Sequence, residues 1–494
     1  MPACCPRLIY HTDPDQLVRR VFDELGQHQS AWPDHRAFIL VPEYLKADME
    51  RRYLTGQHAG GLMMSEVLSF RRLATRLFME AGRQAAASLS KAGKAVLAQG
   101  LLLDNKLPFR RFNRLAGRPR YAAELVSVLG DFQRYGISTK DLMNTEEATG
   151  TAVASQATMD KLHDFALLKD ALEKELQLRH LDDPDEELSR LAQLLDSEPL
   201  PGRLAFLGNS HVWILGFGNS RDFTSQERQV LKALSSKVAS LTIAIADDGS
   251  EGEEIAFRHG SESLRSLERL FPGSRRERLP SPVTRPQPEM CFIRAIDRRE
   301  EVRYAAGEIR RLLLTGKTRR KDIGIALCET DLASAYLEPA LTEYGIDAYI
   351  DTGRPLHQSS FLRFLRSFLK LCKHDFSLDD LLDYYRSGLS GLDRQEIDLF
   401  ENEALAIGWR GVRDSSRILA GLDPLTPEGL AVSSVLDDLE KLLMRTTAMR
   451  EAGTGRSKCS LLIDLLFEGE SPPARLIGEQ RDKLLADGHK ESAR

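Results

Sequence analysis

Short apolar runs rich in β-branched and aromatic residues recur along this 494-residue chain, and most are followed by a helical pattern. Runs this short are typical of buried strands rather than helices. Because a helix between two strands acts as a crossover, such strands lie parallel in one sheet. The sequence therefore predicts an α/β fold with mostly parallel strands. The runs are Arg7–Tyr10, Ala37–Val41, Val67–Phe70, Val212–Gly216, Leu241–Ala246, Cys291–Ala295 and Ile323–Leu327.

The stretch between Phe70 and Leu200 interrupts this alternation, because it carries little strand pattern and strong helical periodicity. We therefore expect a first α/β domain split into residues 1–75 and 201–279, with a helical insertion at 76–200. Two apolar helix faces support the insertion: Leu125, Val128, Leu129, Phe132 and Tyr135, and then Leu162, Phe165, Leu168, Leu172 and Leu176.

A proline-rich segment follows this first domain, with four prolines in the ten residues from Leu279 to Pro288. Proline fixes φ and lacks a backbone N–H, so neither a helix nor a central strand can form here. We expect a linker at 280–289. The α/β pattern resumes at 290–371, and helical periodicity fills 372–494, which we expect to be a truncated helical insertion.

The composition, with 42% hydrophobic and 29% charged residues, is ordinary for a globular protein. A net charge of −5 argues against a uniformly cationic surface, so any contact with nucleic acid must be regional. The six cysteines form no C-x-x-C pair, and we expect reduced, mostly buried thiols rather than a metal site. The sequence contains neither a signal-peptide pattern nor an apolar run of membrane-spanning length, which indicates a cytoplasmic protein.

A phosphate-binding loop would be expected directly after the first strand, but Arg7–Gln16 contains no glycine and no lysine. The only Gly-Lys-Thr sequence is Gly316–Thr318. The phosphate-loop motif requires another glycine five residues before Gly316, but Arg311 stands there. We therefore interpret Gly316–Thr318 as a turn at the end of a helix.

A basic and aromatic segment, Pro108–Arg114, combines phosphate partners with stacking surfaces of the kind used on single-stranded nucleic acid. The structural alternative is a solvated connector whose aromatic rings anchor it to neighbouring helices. A second basic cluster, between Arg310 and Lys321, is expected to be a solvated face. The candidate nucleic-acid contacts in the first segment are Arg110, Arg111, Phe112 and Arg114.

Two acidic runs, Asp182–Glu187 and Asp247–Glu251, contain the carboxylates that Mg²⁺ prefers. Because the first precedes a helix and the second follows a strand, we expect helix capping and loop solvation instead. We expect ordinary surface histidines or satisfied core histidines at His11, His163, His211 and His357. Neither a G-x-S-x-G elbow nor a nucleophile signature is present, so the residues give little indication of catalysis.

Short motifs follow one another in a characteristic order along nearly the whole chain. They are Phe38–Glu43, Val67–Ala74, Asp131–Tyr135, Lys161–Asp164, Gly216–Phe217 with Phe223–Glu227, Asp322–Leu327, Tyr344–Asp351, Ser387–Leu389 with Glu396–Asn402, and Gly408–Gly411. Together they resemble the AddB family, also called RexB. This subunit pairs with AddA in the bacterial ATP-dependent helicase–nuclease that processes double-strand breaks.

The resemblance implies a degenerate superfamily 1 helicase fold, with RecA-like parallel-sheet domains that carry helical insertions. In active relatives, the strand-to-helix step that resembles Ser69-Phe70-Arg71 lies on the track of single-stranded DNA. Ser69, Phe70 and Arg71 are therefore candidate DNA contacts, with the alternative that Phe70 merely closes the sheet. Family members use this half to guide one strand and to recognise the Chi recombination sequence.

The chain departs from the family in three ways. The phosphate loop that many members retain is missing at Tyr10–Gln16, and Leu215 stands where an Asp often precedes Gly-Phe. With neither a lysine for phosphates nor a carboxylate for Mg²⁺, we expect no nucleotide site and no ATP hydrolysis. Family chains are also well over twice as long, and their further part holds an Mg²⁺-dependent nuclease and a 4Fe–4S cluster. We expect no cofactor, no metal site and no catalytic residue in this chain.

The leading hypothesis is the helicase-like N-terminal part of an AddB-type subunit that acts in double-strand-break repair and homologous recombination. Its partners would be DNA and an AddA-like subunit in a heterodimer, without a membrane. The alternative is a stand-alone, non-catalytic DNA-binding or scaffold protein of helicase fold. The interrupted helical pattern of Asp482–Glu491 favours a truncated chain. An incomplete second sheet would expose an edge and an apolar face, which predicts aggregation or dependence on a partner.

Overall fold

The computed structural model describes most of the chain in thirteen stretches. These are residues 5–56, 64–82, 89–104, 106–143, 156–218, 222–250, 254–280, 289–328, 333–351, 359–374, 376–423, 425–467 and 472–486. The chain divides into two compact units, Met1–Pro288 and Glu289–Arg494. Most of the proline-rich segment, and His357, lie outside the described residues.

The first unit is built on a six-stranded, all-parallel sheet with the order β3-β2-β4-β5-β1-β6. The expected α/β fold with a parallel sheet is thus confirmed for this unit. Its strands are β1 (Arg7–His11), β2 (Ala37–Leu40), β3 (Ser65–Leu68), β4 (His211–Ile214), β5 (Ser240–Ala246) and β6 (Arg275–Arg278).

Both faces of the sheet are covered, as the almost continuous apolar strands require. Alternate residues along a strand point to opposite faces, so Phe38 and Ile39 belong to different core clusters. The helices Pro14–Ala31 and Lys46–Thr55 pack on the face that carries Ile39. The opposite face is covered by Phe70–Glu80, Glu187–Asp196, Ser225–Ser235 and Arg258–Leu270.

Strand β6 has no counterpart among the predicted runs, because its sequence is Arg-Arg-Glu-Arg. Among the described strands, it pairs with β1 alone and forms an edge of the sheet. Charged residues are tolerated on an edge strand and discourage pairing with other chains. An apolar pattern could not reveal this strand.

The described residues between β3 and β4 are mostly helical, and several of these helices share a separate apolar core that includes Leu102, Phe112, Leu125, Leu129 and Leu168. The helical periodicity predicted for this stretch is confirmed. Besides Phe70–Glu80 and Glu187–Asp196, the helices here are Lys91–Leu103, Pro119–Tyr135, Thr139–Met143 and Gln156–Leu178.

The regular secondary structure in the described residues of the second unit is helical. Its main core contains the fully buried Phe364, Tyr385 and Phe400, and the indole of Trp409 donates a hydrogen bond to the carbonyl of Phe376 at 3.0 Å. The helices are Arg298–Leu314, Glu338–Glu343, Ser360–Lys373, Leu378–Tyr385, Arg394–Ile407, Ser415–Gly421, Pro427–Glu451, Gly455–Phe467 and Pro472–Ala486.

Two strands predicted for this unit, Cys291–Ala295 and Ile323–Leu327, are wrong as paired strands. Both segments lack helical structure, but neither joins a ladder among the described residues. An apolar β-type sequence forms a strand only when a neighbour accepts its hydrogen bonds. The turn predicted at Gly316–Thr318 is confirmed at the helix end, where the preceding helix stops at Leu314 and Gly316 has φ +66°.

The expectation of mostly buried thiols is wrong for the described cysteines. Cys5, Cys291, Cys328 and Cys459 are exposed, and Cys372 is half-buried. Burial raises the pKa of the Cys372 thiol to about 11. Over the described part of the chain, no helix combines the length and apolar character needed to cross a membrane.

Candidate nucleic-acid interface

A cavity of about 700 Å³ lies at the carboxyl edge of the sheet, where β2, β3 and β4 end. Ligands of parallel sheets bind at this edge, because loops from neighbouring strands converge there. The loop residues are Val41–Tyr44, Ser69–Arg71 and Gly216–Gly218, and the other walls include Lys91, Asp131, Arg134, Tyr135, Pro184, Asp185, Glu187, Leu188, Thr224, Gln226 and Glu227.

Ser69 begins the helix that follows β3. Its hydroxyl accepts a hydrogen bond from the N–H of Arg72 at 3.4 Å and donates one to the carboxylate of Glu43. The guanidinium of Arg72 donates to the same carboxylate at 2.7 Å. These two hydrogen bonds, with that from Ser69 the stronger influence, hold the pKa of Glu43 below its usual value. The cavity therefore contains an ionised carboxylate that is already paired.

Phe70, the next candidate, is only 4% exposed. Its ring packs edge-to-face on Phe217 with 5.3 Å between centroids, and Phe217 stacks on Phe223 at the same distance. This geometry fits the alternative in which Phe70 closes the sheet. Any contribution of Phe70 to binding would come from positioning its neighbours.

Arg71 extends its side chain to the rim of the cavity and is more than half exposed. It donates one hydrogen bond to the carbonyl of Pro184 at 3.1 Å, and its Nε lies 4.0 Å from Glu187 Oε2. This weak, exposed ion pair leaves most of the guanidinium accessible to a phosphate.

Two exposed tyrosines flank the cavity. Tyr44 is 76% exposed in the loop after β2, and Tyr135 is 51% exposed at the end of the helix Pro119–Tyr135. Arg134 lies beside Tyr135 and pairs with Asp131 at 2.8 Å. Tyr44 was not singled out from the sequence, and Tyr135 was assigned to an apolar helix face. Only the fold shows that both rings face solvent at one site.

The loop after β4 has a glycine, Gly216, where it lines the cavity, and its backbone conformation and close packing disfavour any side chain. Gly216 has φ +82°, and a Cβ there would lie 2.7 Å from Leu45 Cδ1 and 3.2 Å from Pro42 Cδ. Both neighbours belong to the loop after β2. A side chain at position 216 would therefore separate two of the three loops that form the cavity.

The first acidic run braces one wall of the cavity, and the helix capping expected of it is wrong. Glu186 occupies the N-cap of the helix Glu187–Asp196 without a side-chain cap hydrogen bond, while Asp183 and Asp185 are buried. The ammonium of Lys94, 2% exposed, lies 2.8 Å from Asp183 Oδ2 and 2.9 Å from Asp185 Oδ2. Gln133 also contacts this network, and Gln226 donates to the carbonyl of Asp185 at 2.8 Å. The network joins the helices of the insertion to the helix that follows β4.

Asp247 in the second acidic run is also buried, which corrects the expectation of loop solvation there. Its carboxylate accepts hydrogen bonds from the hydroxyl of Ser261, from the N–H of Gly249 at 3.1 Å and from Arg276 at 3.3 Å. No group of His, Cys, Asp and Glu among the described residues has a metal-binding arrangement. In both acidic runs, buried carboxylates therefore bind side chains or backbone N–H groups of neighbouring elements.

The basic and aromatic segment is tied to the helix Gln156–Leu178 through Asp164. This fully buried carboxylate accepts hydrogen bonds from the backbone N–H groups of Arg110, Arg111 and Phe112 at 2.8, 2.7 and 3.0 Å. The ring of Phe112 is 2% exposed and packs edge-to-face on Phe165 at 4.9 Å. This arrangement fits the alternative of an aromatic anchor.

The three arginines of that segment differ in their surroundings. Arg110 and Arg111 each contact the carboxylate of Asp160, at 3.3 and 3.2 Å, while Arg114 is exposed. Neither these arginines nor Phe112 line the cavity at the sheet edge. The fold therefore places the two predicted groups of contacts, Ser69–Arg71 and Arg110–Arg114, at separate positions.

The segment after β1 closes directly into a helix. Asp13 caps this helix by accepting a hydrogen bond from the N–H of Asp15 at 3.1 Å, and Pro14 occupies the first turn without an N–H. An anionic side chain thus stands where a phosphate would need free N–H groups. Leu215, which stands where the resemblance implies an Asp, is 4% exposed in the apolar core.

His211, which we expected to be an ordinary histidine, contacts His28, which the sequence did not single out. The rings of His28 and His211 lie 4.1 Å apart between centroids, tilted by 39° to each other, beside Trp32 and Trp213. His211 hydrogen-bonds to the hydroxyl of Ser240 at 2.6 Å, but neither ring nitrogen of the buried His28 has a partner. Burial, and then the neighbouring His211, lower the pKa of His28 to about 4.

Comparison with known proteins matches residues 18–284 to the family described as "ADDB, N-terminal". A protein of Heliobacterium modesticaldum is 31% identical over 435 residues, which cover 80% of this chain and 35% of the relative. A relative from Acetivibrio thermocellus is 25% identical, covering 93% and 43%, and one from Desulforudis audaxviator is 26% identical, covering 97% and 44%. All three relatives are named as a subunit of an ATP-dependent helicase/deoxyribonuclease. The chain spans less than half the length of each.

Proposed function

Because the chain belongs to the "ADDB, N-terminal" family, we propose that it supplies the DNA-guiding part of an ATP-dependent helicase–deoxyribonuclease. In this role it binds one DNA strand, contributes to recognition of a Chi sequence and docks on an AddA-like partner. The proposed role is part of double-strand-break repair and homologous recombination.

A degenerate superfamily 1 helicase fold accounts for the architecture. The parallel sheet, interrupted between β3 and β4 by helices with their own core, supports a RecA-like first domain at 1–75 and 201–279 with an insertion at 76–200. On the same proposal, 290–371 begins a second RecA-like domain and 372–494 belongs to its helical insertion.

The partner, rather than this chain, would hydrolyse ATP. A phosphate loop needs several free N–H groups and a lysine, and Mg²⁺ needs a carboxylate nearby. Here Asp13 caps the helix after β1, and the side chain of the buried Leu215 contains no oxygen that could bind Mg²⁺. These features support a DNA-binding subunit that depends on a separate motor.

The observation that carries the proposal is the pairing of exposed tyrosines with accessible guanidinium groups around the cavity. Aromatic rings stack on the bases of a single strand while cationic side chains follow its phosphates. Tyr44 and Tyr135 would supply the stacking, and Arg71 and Arg134 the phosphate contacts.

Acidic residues also line this cavity, but several already have ion-pair or hydrogen-bond partners within the protein. Glu43 pairs with Arg72, Asp185 with Lys94, and Glu227 caps the N-terminus of its own helix. Lys94 is shared between Asp185 and Asp183, so the contacts with phosphates would have to come from Arg71 and Arg134. The ionised Glu43 is an acceptor that can receive a hydrogen bond from a base amino group.

Fluorescence anisotropy with a labelled single-stranded oligonucleotide tests this proposal on the full 494-residue chain. We expect Tyr135→Ala to weaken binding about tenfold, in line with a stacking contribution of about 1–3 kcal/mol per base. We expect Arg71→Ala to weaken binding and to reduce its salt dependence, because a phosphate contact is lost. Arg120→Ala is the matched control, since Arg120 is 92% exposed and pairs with Glu124 outside the cavity.

Equal losses for Arg120→Ala and Arg71→Ala would contradict a specific site and indicate only a general charge effect. A DNA-stimulated ATPase activity of the purified chain would contradict the motor-free role. Tight DNA binding without any association with an AddA-like subunit would instead favour the stand-alone DNA-binding or scaffold protein.

A further inference from the structure

A stripe of basic residues runs along the helix Ser360–Lys373 in the second unit. The sequence of this helix contains four basic residues and no acidic one. Because the basic residues recur at intervals of three and four, they lie on one face of the helix. The chain as a whole has a net charge of −5, so the stripe is a local concentration of positive charge. The basic stripe consists of Arg363, Arg366, Lys370 and Lys373.

The opposite face of this helix is fixed in the core of the unit. Phe364 and Leu371 are fully buried there, and Phe368 is 3% exposed. A basic amphipathic helix that binds a membrane inserts its apolar face among the lipids. Here that face is already packed, so the helix cannot use it on a lipid surface. The helix therefore presents the basic stripe on a rigid support.

The two arginines of the stripe have no counterion within the described part of the protein. Arg363 and Arg366 are exposed, and neither guanidinium has an ion-pair or hydrogen-bond partner among the described residues. Lys370, in contrast, lies 3.0 Å from Asp380 and 3.5 Å from Asp383. The nearby carboxylates therefore pair with the lysine and leave both guanidinium groups available. A guanidinium presents a planar fork of donors that matches a phosphate.

Two further cations lie at the carboxyl end of this helix. Arg450 donates hydrogen bonds to the carbonyls of Leu371, Cys372 and His374 at 2.9, 2.8 and 2.9 Å. Burial raises the pKa of the Cys372 thiol, while the charges of Arg450 and the exposed Lys458 oppose this effect, so both cations lie near the thiol. The basic surface therefore continues past the last turn of the helix.

We propose that the basic stripe binds the phosphate backbone of double-stranded DNA. An α-helix rises about 1.5 Å per residue, so the stripe is about 15 Å long. One strand of a duplex carries a phosphate about every 3.4 Å along its axis, which places about four phosphates opposite the stripe.

The surroundings of the stripe favour a duplex over a single strand. Proteins that bind single strands stack the bases on accessible aromatic rings. The rings of this helix, Phe361, Phe364 and Phe368, pack in or against the core instead. A duplex keeps its bases paired inside and presents phosphates outside, so charge without stacking suits it. This site uses no residue of the cavity proposed for single-stranded DNA.

Fluorescence anisotropy with a labelled, blunt-ended duplex tests this proposal on the full 494-residue chain. Replacing both Arg363 and Arg366 by alanine should reduce the slope of log Kd against log salt by about 2, because two phosphate contacts of about 0.9 each are lost. Replacing both by lysine should retain most of the binding, since both charges remain. The matched control replaces Arg394 and Arg417 by alanine, which removes two exposed charges from other helices of the unit and should leave the slope unchanged.

Equal reductions of the slope in the two double alanine variants would overturn the proposal, because the effect would then be one of net charge. An unchanged slope in the Arg363 and Arg366 variant, or no duplex binding by the unaltered chain, would also overturn it. Labelled polyglutamate that binds as tightly as the duplex, and is lost in the same variant, would identify an acidic polypeptide as the ligand instead.

The two DNA sites can be tested separately. Tyr135→Ala should leave the slope for the duplex unchanged, and the alanine variant of the stripe should leave the binding of a single strand unchanged. A larger effect of the stripe variant on the single strand than on the duplex would overturn the assignment to a duplex. Failure of one site is therefore distinguishable from failure of the other.

Discussion

Lys94 and Asp183 form a buried ion pair in the first unit, with 2.8 Å between Nζ and Oδ2 and less than a tenth of either side chain exposed. Removing one partner would leave a charge buried without compensation. We therefore expect Lys94→Met to lower the free energy of unfolding by roughly 3–5 kcal/mol, measured by urea denaturation.

An exposed pair serves as the control for this loss. Lys106 and Asp104 also lie 2.8 Å apart, but their side chains are 80% and 50% exposed. Lys106→Met should leave the denaturation midpoint unchanged, because water solvates both charges after the pair is broken. A similar effect of both substitutions would show that burial does not strengthen the Lys94 pair.

The carboxylate of Asp164 is expected to hold the basic and aromatic segment in place. Asp164→Ala would leave three backbone N–H groups without their acceptor, and we expect a loss of about 3 kcal/mol in the free energy of unfolding. Asp160→Ala, which removes a carboxylate that contacts only side chains of Arg110 and Arg111 in this segment, should cost less. Equal losses would show that the backbone contacts are not decisive.

His28 should make the chain sensitive to acid. Its pKa of about 4 in the folded chain lies below the value of about 6.5 expected when unfolded, so the unfolded chain binds more protons between these values. Stability is therefore retained above pH 6.5 and falls as the pH drops toward 4. His28→Phe should flatten this decline in denaturation experiments at pH 7.5, 6 and 5. His259→Phe, at an exposed histidine, should not.

Gly216 and Gly100 should respond to alanine with opposite signs. At Gly216, φ is +82° and the new Cβ would meet Leu45 and Pro42, so we expect a loss of at least 1 kcal/mol together with weaker DNA binding. At Gly100, inside a helix with open space for a Cβ, we expect a gain of about 0.5–1 kcal/mol. Calorimetric melting of both variants provides the measurement. Stabilisation by Gly216→Ala would contradict the packing described for the cavity.

The predicted strands of the first unit agree with the structure because each has both a strong apolar pattern and a neighbour. Ile39 in β2, for example, is paired with Val67 on one side and Trp213 on the other. Ile323–Leu327 has a comparable pattern but no such neighbour among the described residues, so prediction from its sequence failed. Strand β6 shows the converse, since Arg276 pairs with Leu8 in the absence of any apolar pattern.

The candidate interface was only partly predictable for a related reason. Ser69, Phe70 and Arg71 were found through a local strand-to-helix motif, and the structure brings all three to the cavity. Tyr44 and Tyr135 are 91 residues apart in sequence and reach the same cavity only through the fold. Likewise, no local pattern pairs Lys94 with Asp183.

The sequence alone determined the alternation of strands and helices in the first unit and the absence of a phosphate loop, because these depend on residues close together in the chain. Tertiary structure decided which apolar segments became strands and which aromatic and acidic side chains were buried. Pairing, burial and ion-pair formation require groups from distant parts of the chain, and their energies depend on the neighbours that folding supplies.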